Sequence, residues 1–263
     1  MEFIKKEKNG VCYYVLDELL KNDFPHMFTT IKGGVSFFEN ELNFGTSCED
    51  TNENVLENFK RAFSCVDSDC ENAVRSKQTH SDVVLYADEN LKGCGIIREQ
   101  PFIEADGLMT DKKDLSLVIF YADCVPVIIA DKKTRVVCAV HSGWRGTESK
   151  IVSKAIDKMC SLKGCNPKDM IVAIGPCIGV CHFEVEKNVY DIFVNAYGEK
   201  FGKCENEKYF VDLGRIVARQ AELSGVEKEN IAFMDKCTYC DNELYSYRRQ
   251  KERAGRMAAI IHS

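Results

Sequence analysis

The sequence predicts an α/β fold of the α+β kind, a mixed β-sheet sandwich covered by helices and formed as a single domain over residues 1–263. Three observations carry this expectation. Short apolar runs rich in β-branched residues recur through the middle of the chain, segments with helical spacing follow them, and no repeat, low-complexity tract or Pro/Gly/Ser-rich linker divides the sequence. With 263 residues and 45% hydrophobic composition, the chain is long enough to bury a sizeable core.

The elements follow in order. Residues 83–86, Val-Val-Leu-Tyr, read as a strand just after His80. Residues 115–120 and 125–130 are nearly all apolar and read as two buried strands, joined through Tyr121-Ala122-Asp123-Cys124, so Cys124 falls at their junction. A third strand over 136–140 runs into His141-Ser142-Gly143-Trp144-Arg145-Gly146, whose small residues stop it and leave His141 at a strand end. Thr147 then offers an N-cap for a helix with apolar positions at Ile151, Val152, Ala155, Ile156 and Met159, which Gly164 ends. A strand over 170–174 leads into Gly175-Pro176-Cys177-Ile178-Gly179. Helices are expected over 185–196 and 212–223, with Gly225 ending the second, and strands over 231–234 and 257–261 flank a basic segment at 248–256.

Bulk properties exclude several classes. A formal charge of −6 with Lys and Arg interspersed among acids gives no basic stripe, so no nucleic-acid partner is expected. The N-terminus lacks the apolar core of a signal peptide, and no stretch approaches the roughly 20 apolar residues of a membrane span, so no membrane association and a cytoplasmic location are expected. Fourteen cysteines scattered along such a chain then read as free thiols or metal ligands rather than as a disulfide framework. Cys12, Cys48, Cys65, Cys138 and Cys160 are expected to be inert.

Five histidines allow each to be weighed. His26 and His262 read as surface residues, and His182, between Cys181 and Phe183, is ambiguous. His80 and His141 sit at strand ends with Cys124, and two imidazoles with one thiolate are the donor set of a catalytic zinc that keeps a fourth position open. Spacing alone is weak evidence for this set, and an apolar buried Cys124 with two unrelated hydrogen-bonded histidines fits residues of these types more readily. Arg145, in a glycine-flanked loop before a helix, is either an anion ligand or a structural partner of a carboxylate. Arg248 and Arg256 are further anion candidates, or part of a solvated basic face. Asp123 and Asp106 are the carboxylates available for proton transfer or sugar recognition; Asp106 could equally be a turn residue, and Asp123 could orient a metal histidine. Gln78 alternates to the same side of an extended chain as His80. Cys237-Thr238-Tyr239-Cys240 has the spacing of a redox or zinc half-site with Cys177 and Cys181 as the other pair, but no structural-zinc spacing accompanies it. The His-x-Glu and Pro-Cys-x-x-Cys deaminase signature is missing.

Taken together and in order, Gly33-Gly34-Val35-Ser36, Leu42-Asn43-Phe44-Gly45, Lys77-Gln78-Thr79-His80, Ala105-Asp106-Gly107-Leu108-Met109-Thr110, Ala122-Asp123-Cys124-Val125-Pro126-Val127, the segment from Ala139 to Thr147, Ile174-Gly175-Pro176-Cys177-Ile178-Gly179, Tyr245-Ser246-Tyr247-Arg248 and Gly255-Arg256 resemble the laccase-domain family. That family was first labelled multicopper polyphenol oxidase and later described as purine nucleoside phosphorylase. The resemblance spans almost the whole chain. It implies the laccase-domain, cytotoxic-necrotizing-factor-like sandwich, a zinc on His80, Cys124 and His141, phosphorolysis of adenosine, inosine and methylthioadenosine, and deamination of adenosine. Purine nucleosides and inorganic phosphate are the partners implied, with monomer and homodimer both open. Many members carry an Arg two positions before the paired glycines; here that position is Ile31, with Lys32 beside it as a possible substitute contact to substrate. Copper is disfavoured, since five histidines cannot furnish several copper sites. Competing readings on the same residues are a metal-free hydrolase or deamidase with Cys124 as nucleophile and His141 as base, a peptidoglycan-editing factor acting on cell-wall precursors, and a zinc-stabilised binding module.

Overall fold

Strand-forming runs that are apolar at every position need cover on both faces, and a stack of four layers supplies it. In this computed structural model, which describes residues 1–37, 40–46, 50–99 and 104–263, two six-stranded mixed sheets lie face to face with helices on both outer sides. Cys48 lies outside the described residues.

The first sheet runs Phe3–Lys8, Val11–Leu16, His26–Thr29, Met257–Ile261, Ser116–Tyr121, Ala73–Arg75, antiparallel except for its last pair. The second runs Ile231–Phe233, Met170–Ile174, Val125–Asp131, Val137–Ser142, Gly107–Thr110, Val84–Tyr86, antiparallel in the middle and parallel at both edges. Alternation along each strand sends residues to opposite layers. Leu117 and Ile119 enter the core between the sheets with Ile128, Ala139 and Ile171, while Val118 turns outward to meet Phe59 and Phe63 of the helix Asn52–Cys65. Val127, Ile129 and Val140 face the other way, under the helices Ile151–Lys163 and Leu213–Leu223. A three-stranded antiparallel sheet of Glu184–Val185, Lys208–Val211 and Gly202–Glu205 stands apart. Among the described residues no helix is long and apolar enough to cross a membrane.

The strands expected near 115–120, 125–130, 136–140, 170–174, 231–234 and 257–261 form within one or two residues of those limits. Gly164 takes the left-handed φ of 66° that ends its helix, and Gly225 follows the helix Leu213–Leu223 at φ 93°. Thr147 does not cap the long helix. It lies inside a short helix, Trp144–Glu148, where its hydroxyl donates to the Gly143 carbonyl, and the long helix begins without a side-chain cap after Lys150 in the left-handed region.

His26 and His262 are buried, contrary to their expected exposure. His26 Nε2 accepts from the Leu16 amide at 2.8 Å and Nδ1 faces the Phe24 carbonyl at 2.8 Å, while His262 Nε2 lies 2.8 Å from the Val66 carbonyl. An imidazole that must accept from a backbone amide has to stay neutral, and burial holds the His26 pKa down to about 4. In the unfolded chain His26 takes up its proton near pH 6.5, so the unfolded state binds more protons between pH 6.5 and 4 and stability falls as pH drops through that window. Urea midpoints measured across it should decline with a contribution of about 1.4 kcal/mol per pH unit from this group, and His26→Gln should remove that contribution. An unchanged pH slope in the variant would count against the buried neutral imidazole.

Candidate metal centre

The registration of two neighbouring strands brings the site together. Val140 pairs with Gly107, so Asp106, one residue before Gly107, stands beside His141, whose amide donates to the Asp106 carbonyl at 2.7 Å. The Asp106 side chain is fully buried, and its carboxylate accepts from His141 Nδ1 at 2.8 Å, from the amides of Thr79, His80 and Ser81, and from the Ser81 hydroxyl. Three successive amides pointing at one anion form a nest, and His80 holds the left-handed φ of 60° that this curl requires. Burial alone would raise the Asp106 pKa, but His141 and Ser81 bring it down to about 2.

The same carboxylate therefore orients the His141 imidazole directly and fixes the backbone that carries His80. With Nδ1 committed to Asp106, His141 has Nε2 left for the site. His80 and His141 meet edge to face at 5.0 Å between ring centres, and His80 Nε2 lies 3.8 Å from Cys124 Sγ. Cys124 is delivered by the turn between Ser116–Tyr121, a strand of the first sheet, and Val125–Asp131, a strand of the second. Donor atoms of His80, Cys124 and His141 all lie within 4.8 Å of one another.

Gly143 makes room for this approach. A Cβ there would stand 2.7 Å from His80 Cδ2 and 3.3 Å from Cys124 Sγ. Its φ of −72° is open to any residue, so space rather than backbone conformation demands glycine. Burial pushes the Cys124 thiol up, yet the His141 and His80 imidazoles outweigh it and hold the pKa near 6; burial lowers His141, and the Cys124 thiolate and Asp106 overcome this to raise it to about 9. Two nitrogens and one sulfur, converging and partly open, fit a borderline-soft divalent ion.

Two cavities meet at His80 and Cys124, both of which line each of them with Asp123, Ile178 and Phe183. One, of about 700 Å³, is bordered by Arg75, Gln78, Phe120, Tyr247, Arg248 and Arg256; the other, of about 310 Å³, by Trp144 and Arg145.

The remaining residues singled out from sequence divide between these walls and the scaffold. Arg145 is exposed at the smaller cavity with its guanidinium 4.3 Å from the Trp144 ring centre, and no described carboxylate pairs with it. Arg248 and Arg256 line the larger one rather than forming a solvated face; Arg248 also donates to the carbonyls of His182 and Glu184. Of the two aspartates expected at the site, only Asp123 borders the cavities. Asp106 is the carboxylate behind His141 and borders neither cavity, so the sugar-contact role expected of it is not available there, whereas Asp123 lines both and accepts from Thr238 Oγ1 and the Arg248 amide, each at 2.6 Å. Gln78 borders the cavity, but its amide group is clipped to Phe120, donating to its carbonyl and accepting from its amide at 2.7 Å each. Lys32 lies away from both cavities and is ion-paired with Glu243. Ile31 packs against the core between the sheets. Arg75, Phe120 and Phe183 join the site without any local mark in the sequence; only the meeting of the cavity walls brings them there.

Residues 25–263 match the family described as multi-copper polyphenol oxidoreductase laccase. The chain is 34% identical over 225 residues to a Clostridium acetobutylicum protein named purine nucleoside phosphorylase, covering 85% of this chain and 88% of that one. It is 33% identical over 235 residues to Escherichia coli YfiH, also named purine nucleoside phosphorylase, covering 87% and 89%. Among solved structures, a Bacillus licheniformis hypothetical protein YfiH superposes with a TM-score of 0.90 at 28% identity, covering 98% of each chain, and Geobacillus stearothermophilus YlmD with 0.89 at 26%, covering 99% of each.

Two consequences can be measured. Because the exposed His80 ring can swing away, Gly143→Ala should lower affinity for a divalent ion about 10- to 100-fold while leaving the thermal midpoint of the metal-free protein nearly unchanged; unaltered metal affinity would refute the close-approach role. In metal-stripped protein, alkylation at Cys124, followed by peptide mass spectrometry, should reach half its maximal rate near pH 6, and His141→Ala should move that midpoint up toward the ordinary thiol range of about 8.5.

Proposed function

Because the chain belongs to the multi-copper polyphenol oxidoreductase laccase family, with relatives named purine nucleoside phosphorylase, we propose that it is a zinc-dependent purine nucleoside phosphorylase working as one domain over residues 1–263. It splits adenosine, inosine and S-methyl-5′-thioadenosine with inorganic phosphate, giving free base and ribose 1-phosphate or methylthioribose 1-phosphate, and it also deaminates adenosine. We take it to act in the cytoplasm, where a thiolate ligand stays reduced.

The observation that carries this reading is the convergence of His80, Cys124 and His141 where two cavities meet, His80 and Cys124 lining both and His141 the larger, which three arginines border. Thiolate and imidazole donors favour zinc, and a set of three leaves a coordination position open. Several copper centres would need more histidines, and His26 and His262 are already buried against backbone groups. Zinc held by these residues supplies Lewis acidity toward a substrate oxygen.

The chain's own groups provide binding and orientation. Arg248 and Arg256, with Arg75 at the same cavity, set positive charge around phosphate, and Arg145 supplies a cation on the other side. Phe120, Phe183 and Tyr247 offer ring faces to a purine. Asp123, anchored by Thr238 and the Arg248 amide, is a fixed acceptor for a ribose hydroxyl. In phosphorolysis a phosphate oxygen bonds to C1′ as the glycosidic C–N bond breaks, and the purine leaves with the electron pair and takes up a proton. Guanidinium charge held in place before the reaction favours that charge shift without reorganisation.

A second reading, a metal-free hydrolase with Cys124 as nucleophile and His141 as base, is favoured by the lowered Cys124 pKa and the raised His141 pKa. The two separate on His80, which a Cys-His pair does not need. Zinc-loaded protein incubated with the three nucleosides should give phosphate-dependent base release, and chelation or His80→Ala should lower kcat/KM by more than about 100-fold. Phosphate-independent product release that survives metal removal and His80→Ala would instead support the hydrolase. No product from any nucleoside with zinc loaded would remove the phosphorylase reading and direct the search to cell-wall precursors.

A further inference from the structure

Away from the first centre, the turn Cys237-Thr238-Tyr239-Cys240 faces the loop that carries Cys181 and His182, and the donor atoms of Cys181, His182, Cys237 and Cys240 all lie within 4.8 Å of one another. Cys177, the residue that spacing alone suggests as a fourth ligand, is buried; its carbonyl accepts from the Thr238 amide and its own amide donates to Lys236, so its backbone aligns the two segments while His182 takes the fourth position.

We propose that Cys181, His182, Cys237 and Cys240 form a second, closed, tetrahedral zinc site of the Cys₃His type. The spacing carries the argument. Four ligands at Zn–S of about 2.3 Å and Zn–N of about 2.0–2.1 Å stand about 3.8 Å apart for sulfur pairs and about 3.5 Å apart for sulfur and nitrogen. Cys181 Sγ and Cys240 Sγ are 3.8 Å apart, and His182 Nδ1 is 3.2 Å from Cys181 Sγ and 3.3 Å from Cys240 Sγ. All three cysteines are free thiols.

Supporting contacts orient the ligands before any ion arrives. The His182 ring stacks on Tyr239 at 4.0 Å and 16°, with its carbonyl held by Arg248. Cys237 Sγ accepts from the Gly179 amide at 3.2 Å, and a Cβ on Gly179 would stand 3.3 Å from both Cys181 Sγ and Cys237 Cβ. Three thiolates around one divalent ion leave a net negative centre, and the Arg249 guanidinium lies against the same turn, donating to the carbonyls of Thr238 and Tyr239. Binding exchanges three thiol protons for the ion, with no change of oxidation state.

With four protein ligands this ion has no open position and serves structure rather than chemistry. It joins the loop bearing Ile178 and Phe183, which line both cavities, to the turn bearing Thr238, which holds Asp123. Its occupancy sets the shape of that wall.

The test uses a variant without the first centre, so it stands whether or not the phosphorylase reading does. His80→Ala/Cys124→Ser protein, purified under reductant, should bind one zinc per chain, and cobalt substitution should give the near-ultraviolet thiolate-to-metal band and intense visible bands of tetrahedral thiolate coordination. Adding Cys181→Ser and Cys240→Ser should abolish both, with the thermal midpoint lowered relative to the zinc-loaded parent. If that variant does not fold, His182→Ala in the same background, with weakened zinc affinity and shifted cobalt bands, serves in its place. Absence of zinc and of cobalt–thiolate absorption in the parent variant, or a disulfide among these cysteines in freshly reduced protein, would overturn the proposal.

Discussion

The candidate centre hangs on one buried carboxylate. Asp106 has no exposed surface, and five donors from two parts of the chain converge on it: three successive amides and a hydroxyl from residues 79–81, and the His141 imidazole. Such an anion is stable inside a protein only when it is fully satisfied, and here each donor that satisfies it belongs to, or lies next to, a proposed metal ligand. Folding and site assembly are thus one event. The carboxylate fixes the imidazole tautomer of His141, curls the His80 loop into the left-handed region, and leaves Gly143 to keep the intervening space clear.

Much of this was legible in the sequence, and the reasons for success and failure are physical. Strands such as Ser116–Tyr121, Val125–Asp131 and Val137–Ser142 are buried on both faces, so their apolar runs are continuous and easily read. That His80, Cys124 and His141 converge was suggested by scarce metal-binding residue types at strand ends together with the family resemblance, since residue type alone fitted unrelated buried residues as well. Which aspartate stands behind His141 was not. Asp106 is 35 residues from it and Asp123 only 18, but strand pairing, not chain distance, decides the neighbour. His26 departs from expectation for a related reason: its stretch reads as a loop, while in the fold it begins the strand His26–Thr29 and accepts from an amide of the adjacent strand. Lys32 and Gln78 show the converse, since residue type permits a ligand contact that Glu243 and the Phe120 backbone have already claimed.

The two cysteine-containing clusters differ in a way that matches their surroundings. His80, Cys124 and His141 offer three donor atoms and open onto cavities, whereas the cluster of Cys181, His182, Cys237 and Cys240 offers four and includes a turn braced by Arg249. Ligand number and what lies beyond the ligands distinguish a reactive centre from a clasp, and a cysteine count does not.

Between Tyr121 and Val125 the chain leaves one six-stranded sheet and enters the other, with Asp123 at φ 87° as the residue that makes the crossing. Cys124 follows at once, so whatever binds there is attached to the seam between the two halves of the sandwich. By linkage, a bound species resists any sliding or parting of the sheets, and a sequence change within the layer between them shifts ligand affinity from a distance.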